Sequence, residues 1–403
     1  MSTTTAAAPV AYRVPLIATA AIVLGALLIG VFFGANTGLL LIVGGLLGMV
    51  LYHAAFGFTS AWRVFIKERR GRGLRAQMVM LALAVVLFFP ALGAGTLFGT
   101  PVSGFVSPIG ISVLFGAFLF GVGMQLGGGC ASGTLFTAGG GNARMLITLL
   151  FFIVGSVIGS AHFGWWQSLP SFDPISLVDI AGVSGGIAVS LILFAAIAAF
   201  TVVMERKRHG QLEAAPAVTK PSAERWLSGP WPLLAGAVAL ALLNFATLAL
   251  AGRPWGITSA FALWGAKVYE LFGGSVGGWS YWQTPGNAAA LQSSIWSDIT
   301  TVMNVGIMLG ALVAAHLAGR FAPNFRIPLR SGAAAVIGGL MLGYGARLAF
   351  GCNIGAYFSG IASGSLHGWV WLVAAFAGNM VGVKLRPLFF TGEAARQPAA
   401  KSC

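Results

Sequence analysis

Charge is what this sequence has least of. Asp, Glu, Lys and Arg make up 8% of its 403 residues, 57% are hydrophobic, and the mean hydropathy is +0.88. Soluble domains carry about 25% charged residues to face water, so a soluble fold is excluded and an integral membrane protein is expected. Acidic residues are rarest, nine in all. An acid–base enzyme, or a carrier coupled to ions through buried carboxylates, has little to work with. The sequence shows no Walker loop, Ser/His/Asp arrangement, carboxylate pair or haem motif, so no catalytic residue is assigned and no enzyme is expected. Cysteine is scarce too: there are three, with no Cys-x-x-Cys and no Cys/His cluster at structural-zinc spacing. That excludes a disulfide framework and a structural metal, and no cofactor is implied. Met1 to Pro9 has no basic n-region and no small-residue cleavage site, so no cleaved signal peptide is read.

What charge there is follows a pattern. The formal net charge is +14, with Lys/Arg runs at Arg63 to Arg75, Arg206 to Arg225, Arg320 to Arg330 and Lys384 to Lys401. Short basic runs between apolar stretches are orientation signals rather than a nucleic-acid surface, so no nucleic-acid partner is expected. The apolar runs lie at 14–33, 38–58, 75–97, 109–127, 142–163, 183–204, 231–251, 298–318, 331–349 and 366–385, each near the about 20 residues that cross a bilayer as helix. Ten crossings place every basic run, and both termini, in the cytoplasm. The opposite loops hold Asp173, Asp179 and Glu270, with Trp165, Trp166, Trp279, Tyr281 and Trp282 read as interfacial aromatics. Residues 1–204 form a first transmembrane half, 205–229 a flexible cytoplasmic linker, 230–390 a second half and 391–403 a cytoplasmic tail. Gly273 to Gln292 reads as an irregular external loop, preceded by a broken or re-entrant segment, Pro254 to Phe272.

The halves repeat. Gly116, Gly121, Gly123, Gly129, Cys130, Gly133 and Phe136 recur 222 positions later as Gly338, Gly343, Gly345, Gly351, Cys352, Gly355 and Phe358. Phe56 to Ala61 matches Trp255 to Ala260 at an offset of 199, which pairs Gly57 with Gly256 and brings in Thr258. With five crossings per half, the helix leading to Cys130 runs inward and the one leading to Cys352 runs outward. The expected fold is therefore all-α and polytopic, about ten transmembrane helices plus short broken or re-entrant ones, in two inverted-topology repeats, a construction that recurs among transport proteins.

Chemistry concentrates at the repeated cysteines. Glycines crowd Gln125 to Asn142, and each weakens a helix by lost backbone entropy and exposed peptide groups. A break at Gly129–Cys130 would leave N–H groups of the next short helix pointing at the gap, suited to an anion, with Ser132, Gly133, Thr134 and Thr137 nearby. Close helix packing through small residues is the competing reading of the glycines. The second copy carries Gly351, Cys352, Asn353 and Gly355, with Arg347 five residues before the thiol in an apolar span. An intramembrane guanidinium is costly unless paired. Unless Asp298 or Glu270 reaches inward, a permeating anion is an economical partner; bonding to helix-end carbonyls or snorkelling is the structural alternative. Arg253 and Lys267 lie nearer the outer face. A thiol is a weak donor and polarizable acceptor, suited to a soft sulfur or selenium atom. His53, His162, His316 and His367 share no ligand spacing and read as helix packing; Cys403 reads as a dispensable exposed thiol.

At these residues the chain resembles the YeeE/YedE family of bacterial inner-membrane proteins, associated with uptake of sulfur compounds. The resemblance spans both halves and rests on Gly127-Gly-Gly-Cys130-Ala-Ser-Gly-Thr, Phe350-Gly-Cys352-Asn-Ile-Gly, Pro254-Trp-Gly-Ile-Thr and Ile361-Ala-Ser-Gly-Ser-Leu-His-Gly-Trp. It implies an hourglass-shaped helical path in which cysteines contact thiosulfate, roles that fall here on Cys130 and Cys352. The family's thiosulfate-type members carry a third cysteine in an early motif. Here Gly57 stands in the corresponding run, as in the YedE branch, which is linked to selenium as well as sulfur. The expected function is an inner-membrane permease for a small sulfur-containing anion, thiosulfate first. The alternatives are a selenium-compound transporter, or a membrane sulfurtransferase or redox protein passing a cysteine persulfide to a cytoplasmic sulfur-carrier protein.

Overall fold

The computed structural model describes residues 12–214 and 221–390. Cys403 with the rest of the tail, Met1 to Pro9 and the linker stretch 215–220 lie outside the described residues. The architecture is all-α. Helix α1 (Arg13–Phe33) turns at Gly34 into α2 (Ala35–His53), which breaks before α3 (Phe58–Glu68); α4 (Arg72–Ala94) returns. After a loop held by two-residue strand pairs come α5 (Ile111–Gly127), a break at 128–130, α6 (Ala131–Gly139), α7 (Ala143–Gln167) and α8 (Leu177–His209). The second half begins with α9 (Ser222–Ser228) and α10 (Leu233–Ala251), then a break before α11 (Thr258–Leu271). Two short helices, α12 (Ser280–Gln283) and α13 (Pro285–Gln292), lead through a 3₁₀ turn to α14 (Ile299–Leu317). Helix α15 (Leu329–Leu348) is followed, past a break at Cys352, by a π-helical turn (Asn353–Ser359) running into α16 (Gly360–Ala362), and α17 (Leu366–Phe389) closes the bundle. Among the described residues nine helical segments are long and apolar enough to span a bilayer, ten when α15 and the helix after its break, bent by 42°, count as one. The chain is a multi-pass membrane protein.

Bare glycine faces let these helices approach closely. A Cβ on Gly121 or Gly378 would run into the backbone of Ala375 or Phe118, locking α5 to α17. Gly155 and Gly343 lock α7 to α15 in the same way, and Gly48 and Gly310 lock α2 to α14. Without a hydrophobic drive between helices in lipid, such small-residue contacts supply much of the association. The packing reading therefore holds for these helix-face glycines. Where α5 meets α15, Gly116 faces the Gly345 carbonyl at 2.8 Å from an added Cβ, and Gly123 faces that of Gly338 at 3.0 Å. The repeated glycines of one half thus touch those of the other in reciprocal order.

Four expectations need correction. The stretch 273–292 is not irregular, because α12 and α13 fold within it, and Tyr281 and Trp282 are packed inside at 8% and 3% exposure rather than at the interface. Residues 254–272 break only at their start; α11 is a regular helix. The expected linker boundary at 204/205 falls within α8, which continues to His209. The reason is Glu205, which is fully buried and accepts from Arg75 at 2.8 Å, from Arg70 at 3.5 Å and from the Gly71 N–H at 3.0 Å. Those contacts neutralise the carboxylate and tie the end of α8 to the start of α4.

Candidate functional site

Both cysteines stand where a helix restarts after a glycine break. Gly128, at φ +93°, ends α5 in the left-handed region that glycine tolerates. Cys130 is then extended and caps α6: its Sγ accepts from the Gly133 N–H at 3.4 Å and lies 3.3 Å from Ser132 Oγ. Its carbonyl takes the Thr134 hydroxyl at 2.8 Å. In the second half Gly351 (φ +152°) precedes Cys352, whose Sγ accepts from the Ile354 N–H at 3.4 Å. Its carbonyl accepts from both Ala356 N–H at 2.8 Å and Tyr357 N–H at 3.3 Å, the widened turn of a π-helix, a distortion frequent at functional sites. So the two sulfurs occupy equivalent cap positions, each satisfying a backbone donor that a helix start leaves open. Cys130 is 1% exposed and Cys352 0%.

The breaks converge on the second thiol's helix. Helix α6 touches the π-helical turn. Phe58, the first residue of α3 after Gly57, sets its ring edge-on to Tyr357 at 6.0 Å. Ser359 Oγ donates to the Trp255 carbonyl at 2.6 Å, next to Gly256 and the buried Thr258. An added Cβ at Gly256 or Gly355 meets nothing within 4 Å, and both are partly exposed among buried neighbours, so both edge open space. Gly129 differs: a Cβ there would crowd Gly133 and Thr134 of α6 at 3.1 Å.

Unspent polar atoms collect there. Asn353 is fully buried, and neither end of its amide has a hydrogen-bond partner among the described residues; the same holds for the Tyr357 hydroxyl and His367 Nε2. A buried amide left unpaired costs about 1–3 kcal/mol per group. Asn353 and Tyr357 both belong to the π-helical turn, so that turn holds hydrogen-bonding capacity left unspent among the described residues. Tyr357 stacks on Trp371 (6.3 Å, 9°) and meets Trp62 edge-on, so its hydroxyl is held in an aromatic wall.

Arg347 is 5% exposed and lies in the last turn of α15. Neither Asp298 nor Glu270 reaches it: Asp298 caps α14 through the Thr301 N–H at 2.7 Å, and no carboxylate pairs with Arg347 among the described residues. Its partner is Tyr281, through a 2.5 Å hydrogen bond and the ring face, and Nε stays unpaired. Among the described residues no helix-end carbonyl accepts from it, so the structural alternative in that form is corrected. The equivalent position in the first half is Gln125, also buried, donating to Asn379 Oδ1 at 2.6 Å and to the Thr59 carbonyl at 3.2 Å. Arg253 donates to Thr300 at 3.2 Å near the same face.

On the opposite, arginine-rich face a cavity of about 480 Å³ opens beside the first break, with Gly128 and Thr137 in its wall. Arg63, Arg144, Arg320, Arg326 and Arg386 line it, and among the described residues no acidic side chain does. Arg144 donates to the Leu126 and Gly127 carbonyls at 2.6 and 2.8 Å, and Arg386 to that of Gln125 at 2.6 Å. They close the carbonyls that the break in α5 leaves open and add positive charge at a helix C-terminus, where it is favoured. The basic-run pattern marks Arg63, Arg320, Arg326 and Arg386 as orientation signals and the aromatic cluster marks Tyr281 as interfacial, while Arg144, Gln125 and Tyr357 carry no assignment from the sequence. The signal for Gln125 was present, since it occupies the repeat position of Arg347; nothing in the sequence says that five arginines from separate segments converge.

Residues 53–381 match the family described as Sulphur transport. The chain is 31% identical over 359 residues to "Thiosulfate transporter TsuA" of Spirochaeta thermophila, covering 85% of this chain and 96% of that one. It is 27% identical over 357 residues to "Thiosulfate transporter TsuA" of Escherichia coli, covering 84% and 91%. To "Probable transporter YedE" of Escherichia coli it is 32% identical over 169 residues, 41% of this chain, and the match spans only 40% of that protein's length.

Proposed function

The chain belongs to the Sulphur transport family, and from that premise we propose that it is a bacterial inner-membrane permease for a small sulfur-containing anion, most of all thiosulfate, moving past Cys130 and Cys352. The observation that carries the reading is the paired capping: two repeat-related thiols, each at the start of a short helix in a glycine break, with α6 against the π-helical turn. A helix start offers N–H donors to the oxygens of an anion, and the polarizable thiol suits its terminal sulfur. Asn353 and Tyr357 add unspent hydrogen-bonding capacity beside the second thiol.

The halves act as inverted copies. The reciprocal contacts Gly116–Gly345 and Gly123–Gly338 are what a two-fold axis lying between α5 and α15 would make. The arginine-lined cavity then belongs to the cytoplasmic face, in line with the positive-inside rule, and its clustered arginines would attract an anion before release. Relatives named as thiosulfate transporters support the substrate class.

Purified protein in liposomes should take up labelled thiosulfate, and Cys130→Ala and Cys352→Ala should each slow it by about tenfold or more, the scale of one lost specific contact. Equal uptake by wild type and both variants would overturn the thiol path. Equal passage of sulfate and thiosulfate would reduce the selection to charge alone.

A further inference from the structure

Position 350 breaks the likeness between the halves. The offset of 222 that pairs Cys130 with Cys352 pairs Gly128 with Phe350. Gly128 stands in the wall of the open 480 Å³ cavity. Phe350 stands in the wall of a cleft on the opposite face, beside Pro108, Gly110, Ser112, Trp166 and Ser171, with room of only about 10 Å³, space for about one water. One face is wide where the residue two before the thiol is glycine, and the other is shut where it is phenylalanine.

Backbone and packing point the same way. Phe350 sits at φ +55°, a left-handed conformation rare for a bulky residue. Such strain persists only when its surroundings hold it. What holds the ring is edge contact: Phe163 at 6.1 Å and 89°, His367 at 6.4 Å and 90°. Phe163 in turn meets Tyr281, the partner of Arg347, at 5.4 Å. Gly351, at φ +152°, follows as a ready pivot. A ring held by apolar edges, on a strained residue next to a glycine, can swing aside without breaking a hydrogen bond.

We propose that the Phe350 ring is the gate on the face opposite the arginine cavity, closing the route to Cys352; this rests on the reading of the two cysteine breaks as the path. The structure is then one closed at Phe350 and open at Gly128. A solute arriving between Arg347 and the cleft displaces the ring, and return of Phe350 to its strained position follows passage.

The test is side-specific labelling of Cys352 by an anionic, membrane-impermeant methanethiosulfonate in spheroplasts, in a Cys130→Ser, Cys403→Ser protein. Phe350→Gly restores the residue of the first half and suits the left-handed backbone, and labelling from the outer face should rise about tenfold, in proportion to the open population. Phe350→Leu should give a smaller rise in the same direction, which keeps the test available should the glycine variant not fold. Labelling from the arginine-rich face of inverted vesicles should not change. Equal outer labelling with and without the ring, or a rise on both faces, would overturn the gate. Thiosulfate uptake by otherwise unaltered protein separates the two readings: outer labelling that rises on Phe350→Gly, in a protein that never moves thiosulfate, sinks the transport reading and leaves the gate standing.

Discussion

Arg347 donates to the Tyr281 hydroxyl at 2.5 Å, and its guanidinium carbon lies 5.4 Å from the centre of the same ring. A tyrosine can solvate a guanidinium through hydroxyl and π-face but cannot neutralise it, so the positive charge stays available to an anion. Arg347→Gln removes that charge and should cut thiosulfate uptake by about tenfold or more, the effect of losing one charge-assisted contact. Tyr281→Phe keeps the ring and should cost less. Uptake by Arg347→Gln equal to wild type would make the pair purely structural.

The glycines divide into two kinds that mutation should tell apart. Gly343 has the Phe152 carbonyl and Ser156 N against any added Cβ, whereas Gly355 has nothing within 4 Å. Gly343→Ala should therefore lower the melting temperature in detergent, by overpacking worth about 1–3 kcal/mol. Gly355→Ala should fold like wild type yet transport more slowly, because its methyl enters the space beside Cys352. A Gly355→Ala protein that both folds and transports normally would remove that space from the path.

Glu205 offers a stability test away from the path. Removing the buried carboxylate leaves Arg70, Arg75 and two backbone donors, Gly71 and Glu213 N–H, without their acceptor. Arg70 and Arg75 stay 28% and 21% exposed, so the loss is mainly that of the unsatisfied donors, about 1–3 kcal/mol. Glu205→Ala should lower the melting temperature while the uptake rate per folded molecule is unchanged. No shift in melting would mean that water replaces the carboxylate at no cost.

Periodicity and glycine spacing made the helices and the two cysteine breaks legible, because a chain in lipid must satisfy its backbone within helices and shows where it fails to. The same pattern could not separate glycines that pack, such as Gly121, from glycines that open space, such as Gly355, since both obey one repeat. Tyr281 was misread for a related reason. Its aromatic neighbours Trp279 and Trp282 suggest an interface, and only the fold of α12 against α7, with Tyr281 clustered on Ala262, Leu263 and Ala266 of α11, carries the ring inward to Arg347. Glu205 was assigned to a linker because charge marks the end of an apolar run, while its pairing with Arg75, 130 residues away, is a tertiary fact.

Serine separates the two duties of the thiols. Each sulfur caps a helix, accepting from Gly133 N–H or Ile354 N–H at 3.4 Å, and a serine hydroxyl is a strong N-cap where alanine costs about 1 kcal/mol. Cys130→Ser and Cys352→Ser should therefore melt at or near the wild-type temperature, and the alanine variants lower. If capping were the only role, the serine proteins would also transport like wild type. Contact with a soft sulfur atom needs polarizability that oxygen lacks, so thiosulfate uptake should fall in the serine variants as it does in the alanine ones, although the fold is intact. Uptake that tracks melting temperature across all four variants would assign the cysteines to structure, and uptake lost in the serine proteins despite normal melting assigns them to the solute.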